Sequence, residues 1–321
     1  MKRIFVVLIA CVLTTFGVWA VEIADFAKDR LTEVVPETIV LKQDNGWLYS
    51  KNELEHLARG PLAGGNVVKV SAASKKNNAD PIAALDDFNK QLQELGITLL
   101  VVPVPPKIAV YPVSGIAQGE AMGYLKPFYD ELRSKGINVV DLSDVFIANS
   151  ADNVYCRTDA HWSPSGIALA ADELAKAIPL RGDSAFTVNS KEVMVAGDLA
   201  RSLKSDDKET ITVNSVNENV FSEDSPVLIL GDSHTLIFSE GGDMLADNSG
   251  LCEELAVQLK MPVERMGIKG SAATAVRANL YRKAAKDPQW LKNKKYVIYC
   301  FSCREFTEAK SGWMKVPVMK K

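Results

Sequence analysis

Short apolar runs alternate with amphipathic segments along most of the chain. Four apolar runs contain few polar positions, as is typical of strands that are covered on both faces of a parallel sheet. These runs are 97–102, 137–141, 226–230 and 296–301. Between them, apolar residues recur with helical spacing in segments ended by a glycine or begun by a serine and a proline; these are 81–95, 124–135, 163–178 and 251–259. The alternation predicts an α/β fold, with a mostly parallel central sheet between two layers of helices.

The remaining segments have weaker patterns. Residues 22–40 form an amphipathic lead-in, and a turn at 44–46 precedes a short strand at 47–49. Residues 180–225 are polar, and we interpret them as an excursion from one domain that spans 21–321.

The N-terminus predicts export. Two basic residues within Met1–Arg3 precede an apolar run at 4–21, with the small residue Ala20 near its end. Residues 1–20 are therefore predicted to be a signal peptide, or an uncleaved anchor in the inner membrane, because the run approaches the ~20 residues that span a bilayer. In both cases we expect the rest of the chain to lie in the periplasm.

Composition excludes some functions. The chain has 321 residues, a formal net charge of −3 and no long basic run, which argues against nucleic-acid binding.

Four cysteines outside the N-terminal segment are enough for two disulfides in an oxidising compartment; they are Cys156, Cys252, Cys300 and Cys303. The C-x-x-C pair at 300 and 303 lies at the end of a predicted strand, where an offset of three points side chains to opposite faces. We interpret these cysteines as structural, and we expect no metal and no cofactor.

A serine follows one of the predicted strands. The apolar segment 226–230 breaks at Gly231 and leads to Ser233, after which a helix is predicted from Thr235. Such an elbow raises a serine hydroxyl above the sheet edge and leaves its backbone N–H available to an oxyanion. A simple turn with a capping serine would explain the same tripeptide.

A nucleophilic serine needs a base, and the chain has three histidines. His56 lies in a helical stretch and is predicted to be a surface or capping residue. His234 adjoins Ser233, and it is a candidate for lining the pocket rather than for the base. His161 follows Asp159 by two positions, so in an extended segment the two side chains share one side and Asp159 could orient the imidazole. Such pairs also occur as structural bonds or metal ligands.

The segments Asp159–Trp162 and Gly231–Ser233 together resemble the signature of the alginate O-acetyltransferase family, a branch of the SGNH-hydrolase-like proteins. The similarity extends over about residues 40 to 310. It implies a three-layer α/β/α fold of the SGNH-hydrolase (flavodoxin-like) type, in which the Asp-x-His pair precedes the serine.

The resemblance also implies roles for individual residues. Ser233 would be the acetyl-accepting nucleophile, with His161 as its base and Asp159 as the residue that orients the base. Arg277 would be a pocket residue, and Gly270 or Ser271 a second oxyanion donor.

Two other side chains keep alternative interpretations. Trp162 would be either a sugar-stacking platform or a packing residue, and Lys107 either a sheet-edge residue near the pocket or a solvated loop lysine.

The implied function is a polysaccharide O-acetyltransferase of exopolysaccharide (alginate) biosynthesis, which works in the cell envelope through an acetyl-serine intermediate. The resemblance further implies a membrane-bound O-acyltransferase partner that supplies acetyl groups. Some members of the family carry a C-terminal carbohydrate-binding module; here we expect the catalytic face or a partner to bind the polymer. Two alternatives remain: a carbohydrate O-acetyl esterase with the same triad, and a non-catalytic polysaccharide-binding subunit.

Overall fold

A computed structural model describes residues 22–320 of the chain. Its strands are β1 Val40–Lys42, β2 Leu48–Ser50, β3 Thr98–Val104, β4 Asn138–Val139, β5 Val188–Val195, β6 Glu209–Val216, β7 Val227–Gly231, β8 Glu264–Gly267 and β9 Tyr296–Ser302. Its helices are α1 (22–31), α2 Lys51–Ala58, α3 Asn66–Val70, α4 Pro81–Glu94, α5 Lys107–Val110, α6 Leu125–Ser134, α7 Ser143–Ala148, α8 Pro164–Ala177, α9 Asp198–Ser202, α10 Leu251–Leu259, α11 Ala275–Lys286, α12 Pro288–Lys292 and α13 Glu305–Glu308.

The central sheet has five strands in the order β4-β3-β9-β7-β8, and every pair is parallel. The predicted parallel sheet is therefore confirmed, together with the four strands on which it rested. The fifth strand, β8, was not predicted, because its sequence Glu-Arg-Met-Gly lacks an apolar run. Two antiparallel pairs lie outside the sheet, namely β1 with β2 and β5 with β6.

Apolar side chains cover both faces of the sheet. Val101 and Val102, which are neighbours in β3, belong to different core clusters because successive strand residues point to opposite faces. One cluster contains residues of α4, α6 and α11, and the other contains residues of α8 and α10. Cys300 and Cys303 are likewise divided between the two clusters, and each is buried and free. The chain thus has the predicted three-layer arrangement.

The predicted helices 81–95, 124–135, 163–178 and 251–259 correspond to α4, α6, α8 and α10. Their local signals act as expected, since Asp80 accepts the Ala83 N–H at 2.9 Å and Ser163 accepts the Gly166 N–H at 3.3 Å. The helix predicted from Thr235 is wrong: the chain makes only a 3-10 turn at Ser233–Thr235. Phe238 then takes a positive φ of 61°, which an α-helix cannot accommodate.

Within residues 22–320, no helix is long and apolar enough to cross a bilayer. The predicted signal at 1–20 lies outside the described residues.

Candidate active site

Ser233 lies at the carboxyl ends of β7 and β9, where parallel α/β sheets commonly place their sites. At Gly231 an added Cβ would lie 2.1 Å from the Cys300 carbonyl oxygen, so only glycine fits between the two strands. Asp232 then holds the turn, because its carboxylate accepts the N–H of His234 at 2.9 Å and that of Ser302 at 2.8 Å. The serine is fixed by the ends of two neighbouring strands.

Ser233, His161 and Asp159 form one continuous chain of hydrogen bonds. The distance from Ser233 Oγ to His161 Nε2 is 2.7 Å, and that from His161 Nδ1 to Asp159 Oδ1 is 2.6 Å. His161 is 7% exposed and Asp159 1% exposed, whereas Ser233 is only half-buried. The structure thus brings together the three side chains chosen from the sequence, and it leaves the hydroxyl partly open to solvent.

The charges around His161 determine which ring nitrogen can accept the serine proton. Burial lowers the pKa of His161, but the Asp159 carboxylate outweighs burial, and the net pKa is raised. Burial raises the pKa of Asp159, but His161 and two backbone N–H donors bring it well below its usual range. An ionised Asp159 keeps the proton on Nδ1, so Nε2 can act as acceptor toward Ser233.

The N–H groups of Ser233, Gly270 and Ser271 are candidate oxyanion donors. Within residues 22–320 none of the three donates to a protein acceptor. The Ser271 hydroxyl is already engaged, because it donates to Glu305 Oε2 at 2.5 Å. Burial raises the pKa of Glu305 to about 7. The backbone rather than the side chain of Ser271 is therefore left for an oxyanion.

The interpretation of Trp162 as a sugar platform is wrong, and its alternative, packing, holds. The ring is fully buried, and its indole N–H donates to the His234 carbonyl at 3.1 Å. His234 is itself 2% exposed, with Nδ1 3.0 Å from Asp232 Oδ1, and burial lowers its pKa. Its side chain is therefore buried against Asp232 and Trp162, and it does not line an open pocket, contrary to the prediction.

Arg277 also departs from its predicted place in the pocket. It is 1% exposed in α11, where Nε donates to the Ala273 carbonyl at 2.9 Å. Its guanidinium carbon lies 5.8 Å from the Phe88 ring centre and 5.5 Å from that of Trp313. These aromatic contacts place the cation within the core, away from a substrate in solvent.

His56 was predicted to be a surface or capping residue, and this prediction is wrong. The side chain is fully buried where α2 packs against α13, with Nδ1 2.7 Å from Thr307 Oγ1. Burial lowers its pKa to about 3, so the ring stays neutral.

Lys107 is not a solvated loop lysine, because it lies just beyond the carboxyl end of β3 and next to the segment that carries Asp159. Its ammonium group is buried and donates to the carbonyls of Leu48 at 2.7 Å, Asp159 at 3.0 Å and Arg157 at 3.2 Å. Burial lowers the pKa of Lys107 to about 8. The lysine ties the segment that carries Asp159 to β2.

Asp159, His161 and Asp198 are also close enough for a metal site, with ligand atoms within 4.8 Å of one another. The same atoms are engaged in hydrogen bonds, however. Asp159 Oδ1 accepts both N–H groups offered by His161, and Asp198 Oδ1 accepts the Ala160 N–H at 2.8 Å. These bonds explain the cluster without an ion, and the expectation of no metal and no cofactor stays a prediction.

Comparisons with known proteins point to one family. Residues 40–240, more than half of the chain, match the family described as "SGNH hydrolase-like domain, acetyltransferase AlgX". A probable alginate O-acetylase AlgJ of Pseudomonas syringae pv. tomato is 29% identical over 160 residues, and one of Pseudomonas fluorescens is 28% identical over 171. These alignments cover 45% and 48% of this chain. They cover 35% and 38% of the relatives, so the match spans little more than a third of those proteins.

Two solved structures share the fold. The O-acetyltransferase domain of Pseudomonas putida AlgJ superposes with a TM-score of 0.62 at 19% identity, covering 84% of this chain and 92% of that one. Pseudomonas aeruginosa AlgX superposes with a TM-score of 0.56 at 16% identity, covering 83% and 62%. The implied SGNH-hydrolase-like fold is thereby confirmed.

Proposed function

Because the chain belongs to the family of SGNH hydrolase-like acetyltransferase domains, we propose that it transfers acetyl groups to hydroxyls of a polysaccharide. The observation that carries the proposal is the chain of hydrogen bonds from Ser233 through His161 to Asp159, with distances of 2.7 and 2.6 Å. A serine with a base and an orienting carboxylate is suited to acyl transfer.

In the first half-reaction Ser233 takes the acetyl group from an activated acetyl ester or thioester. Its Oγ attacks the acetyl carbonyl carbon while the hydroxyl proton moves to His161 Nε2. The negative charge on the carbonyl oxygen is stabilised by the Ser233 N–H and by a second donor from Gly270 or Ser271. The bond from the acetyl carbon to the leaving group then breaks, and the leaving group takes the proton from His161.

In the second half-reaction a sugar hydroxyl replaces the leaving group. His161 takes the hydroxyl proton, and the sugar oxygen attacks the acetyl carbon of acetyl-Ser233. The serine oxygen leaves and recovers the proton from His161. Asp159 stays ionised throughout and stabilises the imidazolium form. Water in place of the sugar would give an esterase.

The setting of the reaction is part of the same proposal. The basic and apolar pattern of residues 1–20 supports export to the periplasm, with that segment as either a cleaved signal peptide or an uncleaved anchor. The names of the curated relatives support alginate or a similar exopolysaccharide as the acceptor. A membrane-bound O-acyltransferase would supply the acetyl group on the outer side.

The test uses 4-nitrophenyl acetate as donor and a panel of oligosaccharides, with and without the substitution Ser233→Ala. Mass spectrometry follows both the sugars and the peptide that contains Ser233. We expect acetyl-serine and acetylated sugar with the parent protein, and neither with the variant. The variant should fold, because it removes only one partly exposed hydroxyl.

Three other outcomes are informative. Acetylated sugar formed equally by the alanine variant would refute the assignment of Ser233. Free acetate with no modified sugar would favour the esterase. If Ser233 is not acetylated in folded protein, the chain is better described as a non-catalytic polysaccharide-binding subunit.

A further inference from the structure

The hairpin of β5 and β6 forms hydrogen bonds with the segment that leads to Asp159. Glu209, the first residue of β6, accepts the Arg157 N–H at 2.8 Å through Oε2. Its other oxygen accepts the Thr158 N–H at 2.7 Å and the Thr158 hydroxyl at 2.6 Å. One carboxylate thus receives three hydrogen bonds from the two residues that precede Asp159.

A second set of contacts comes from the chain between the two strands. The Asp198 N–H donates to Asp159 Oδ2 at 2.7 Å, and the Ala160 N–H donates back to Asp198 Oδ1 at 2.8 Å. The Gly197 N–H donates to Thr158 Oγ1 at 3.1 Å. Both carboxylate oxygens of Asp159 therefore have fixed partners, since Oδ1 accepts from His161.

We propose that the β5–β6 hairpin positions the triad, with Glu209 and Asp198 as positioning residues that act through Asp159. This inference rests on the proposed function. The carboxylate of Asp159 can orient His161 only while its own rotation and its backbone are held. Glu209 fixes the backbone before Asp159. Asp198 fixes Asp159 Oδ2 through its backbone N–H, and its carboxylate fixes the Ala160 N–H that follows Asp159.

The expected effect is on the reaction rather than on donor binding. Neither Glu209 nor Asp198 belongs to the hydrogen-bond chain that ends at Ser233 Oγ. A displacement of about 1 Å in a reacting geometry can cost about 100-fold in rate. We therefore expect a lower kcat with little change in KM.

The hairpin supplies a matched control at its other end. Glu218 accepts the Thr187 N–H at 2.7 Å and the Thr187 hydroxyl at 2.8 Å. The chemistry is that of Glu209 with Thr158, but these residues flank the distal ends of β5 and β6. A change at Glu218 loosens the hairpin without loosening the segment at Asp159.

The experiment compares Glu209→Gln with Glu218→Gln in the full chain. In Glu209→Gln an amide NH2 faces the N–H of Arg157 or Thr158, so at least one bond becomes a repulsion. Release of 4-nitrophenol from 4-nitrophenyl acetate gives kcat and KM, and thermal unfolding gives the melting midpoint. All rates are taken well below the lowest midpoint.

We expect Glu209→Gln to lower kcat by roughly 10- to 100-fold with KM within about 2-fold, and Glu218→Gln to keep both values within about 2-fold. Equal kcat for the two variants would overturn the inference. If Glu209→Gln does not fold, Asp198→Ala is judged by the same comparison with Glu218→Gln. A failure of the proposed function looks different, because Ser233→Ala would then retain the activity of the parent.

Discussion

Replacing the buried Lys107 by methionine should weaken both the fold and the site. Lys107→Met keeps most of the side-chain length but removes the ammonium group. The carbonyls of Leu48, Arg157 and Asp159 then lose their donor. Arg157 keeps one partner, since its carbonyl also accepts the Leu48 N–H at 3.1 Å. The carbonyl of Asp159 is the one nearest to the triad.

The size of the effect follows from two opposing contributions. Three hydrogen bonds from a charged donor are worth about 2 kcal/mol each, or about 6 kcal/mol together. Burial, which lowers the pKa of Lys107 from 10.5 to about 8, costs roughly 3 kcal/mol that the methionine does not incur. The free energy of unfolding should therefore fall by about 3 kcal/mol. With an unfolding entropy of about 2.1 cal/mol/K per residue, that is roughly 5 °C in the melting midpoint of a domain of about 300 residues.

Lys294→Met is the matched control. Lys294 is also fully buried, and it donates to the carbonyls of Glu223 at 2.6 Å and Ser225 at 2.7 Å and pairs with Glu264 at 2.6 Å. Glu264 keeps a partner in Lys283 at 2.8 Å. These contacts lie at the amino end of β7, opposite the end that carries the serine.

The assay measures thermal unfolding and acetylation of Ser233 by 4-nitrophenyl acetate, the latter well below both midpoints. Both variants should be less stable than the parent. Only in Lys107→Met should the acetylation of Ser233 be slower than in the parent, by roughly 10-fold or more. Equal acetylation rates for the two variants would refute a role of Lys107 in holding the site. An unchanged melting midpoint for Lys107→Met would refute the energetic estimate.

Two further substitutions test the same segment. In Asp159→Asn the carboxylate that raises the pKa of His161 is lost, and burial, which lowers that pKa, remains. Because the base must be neutral, the acetylation rate of Ser233 rises with pH through this pKa. In the variant the pH of half-maximal rate should be lower than in the parent, and the plateau rate should fall by roughly 100-fold or more. A pH–rate profile with the same midpoint as that of the parent would contradict this. In Gly197→Ala the new Cβ would lie 2.2 Å from the Thr158 carbonyl oxygen, so the backbone must move. We expect a loss of about 2 to 3 kcal/mol in unfolding free energy, and a variant as stable as the parent in a denaturant titration would show that the contact is easily relieved.

The fold was predictable where local signals and burial agree. The apolar runs of β3, β7 and β9 are buried on both faces, so their composition alone indicates central strands. The helix predicted after the serine failed because its boundary depends on contacts made elsewhere. The Phe238 N–H bonds to the Met244 carbonyl at 2.8 Å, and this loop closure outweighs helix propensity.

The histidine that lies beside the serine could be selected because the alternatives were few. His161 shares an extended segment with Asp159, a pattern that the sequence displays directly. The burial of His56 could not be predicted, because it depends on the packing of α2 against α13, about 250 residues away in sequence. Arg277 was misplaced because a buried cation between two aromatic rings has no local signature in the sequence.

The contacts that hold the Asp159 segment could not be predicted from the sequence for a related reason. Lys107 reaches it from α5, Glu209 from β6 and Asp198 from α9, and no spacing rule connects these three positions. All three bond to the backbone or to a carboxylate, contacts that place little constraint on neighbouring residue types. A polar, weakly patterned stretch such as 180–225 therefore need not be a passive excursion. When its polar groups form hydrogen bonds with the backbone of a proposed catalytic segment, the stretch helps to fix the distance between the base and the nucleophile.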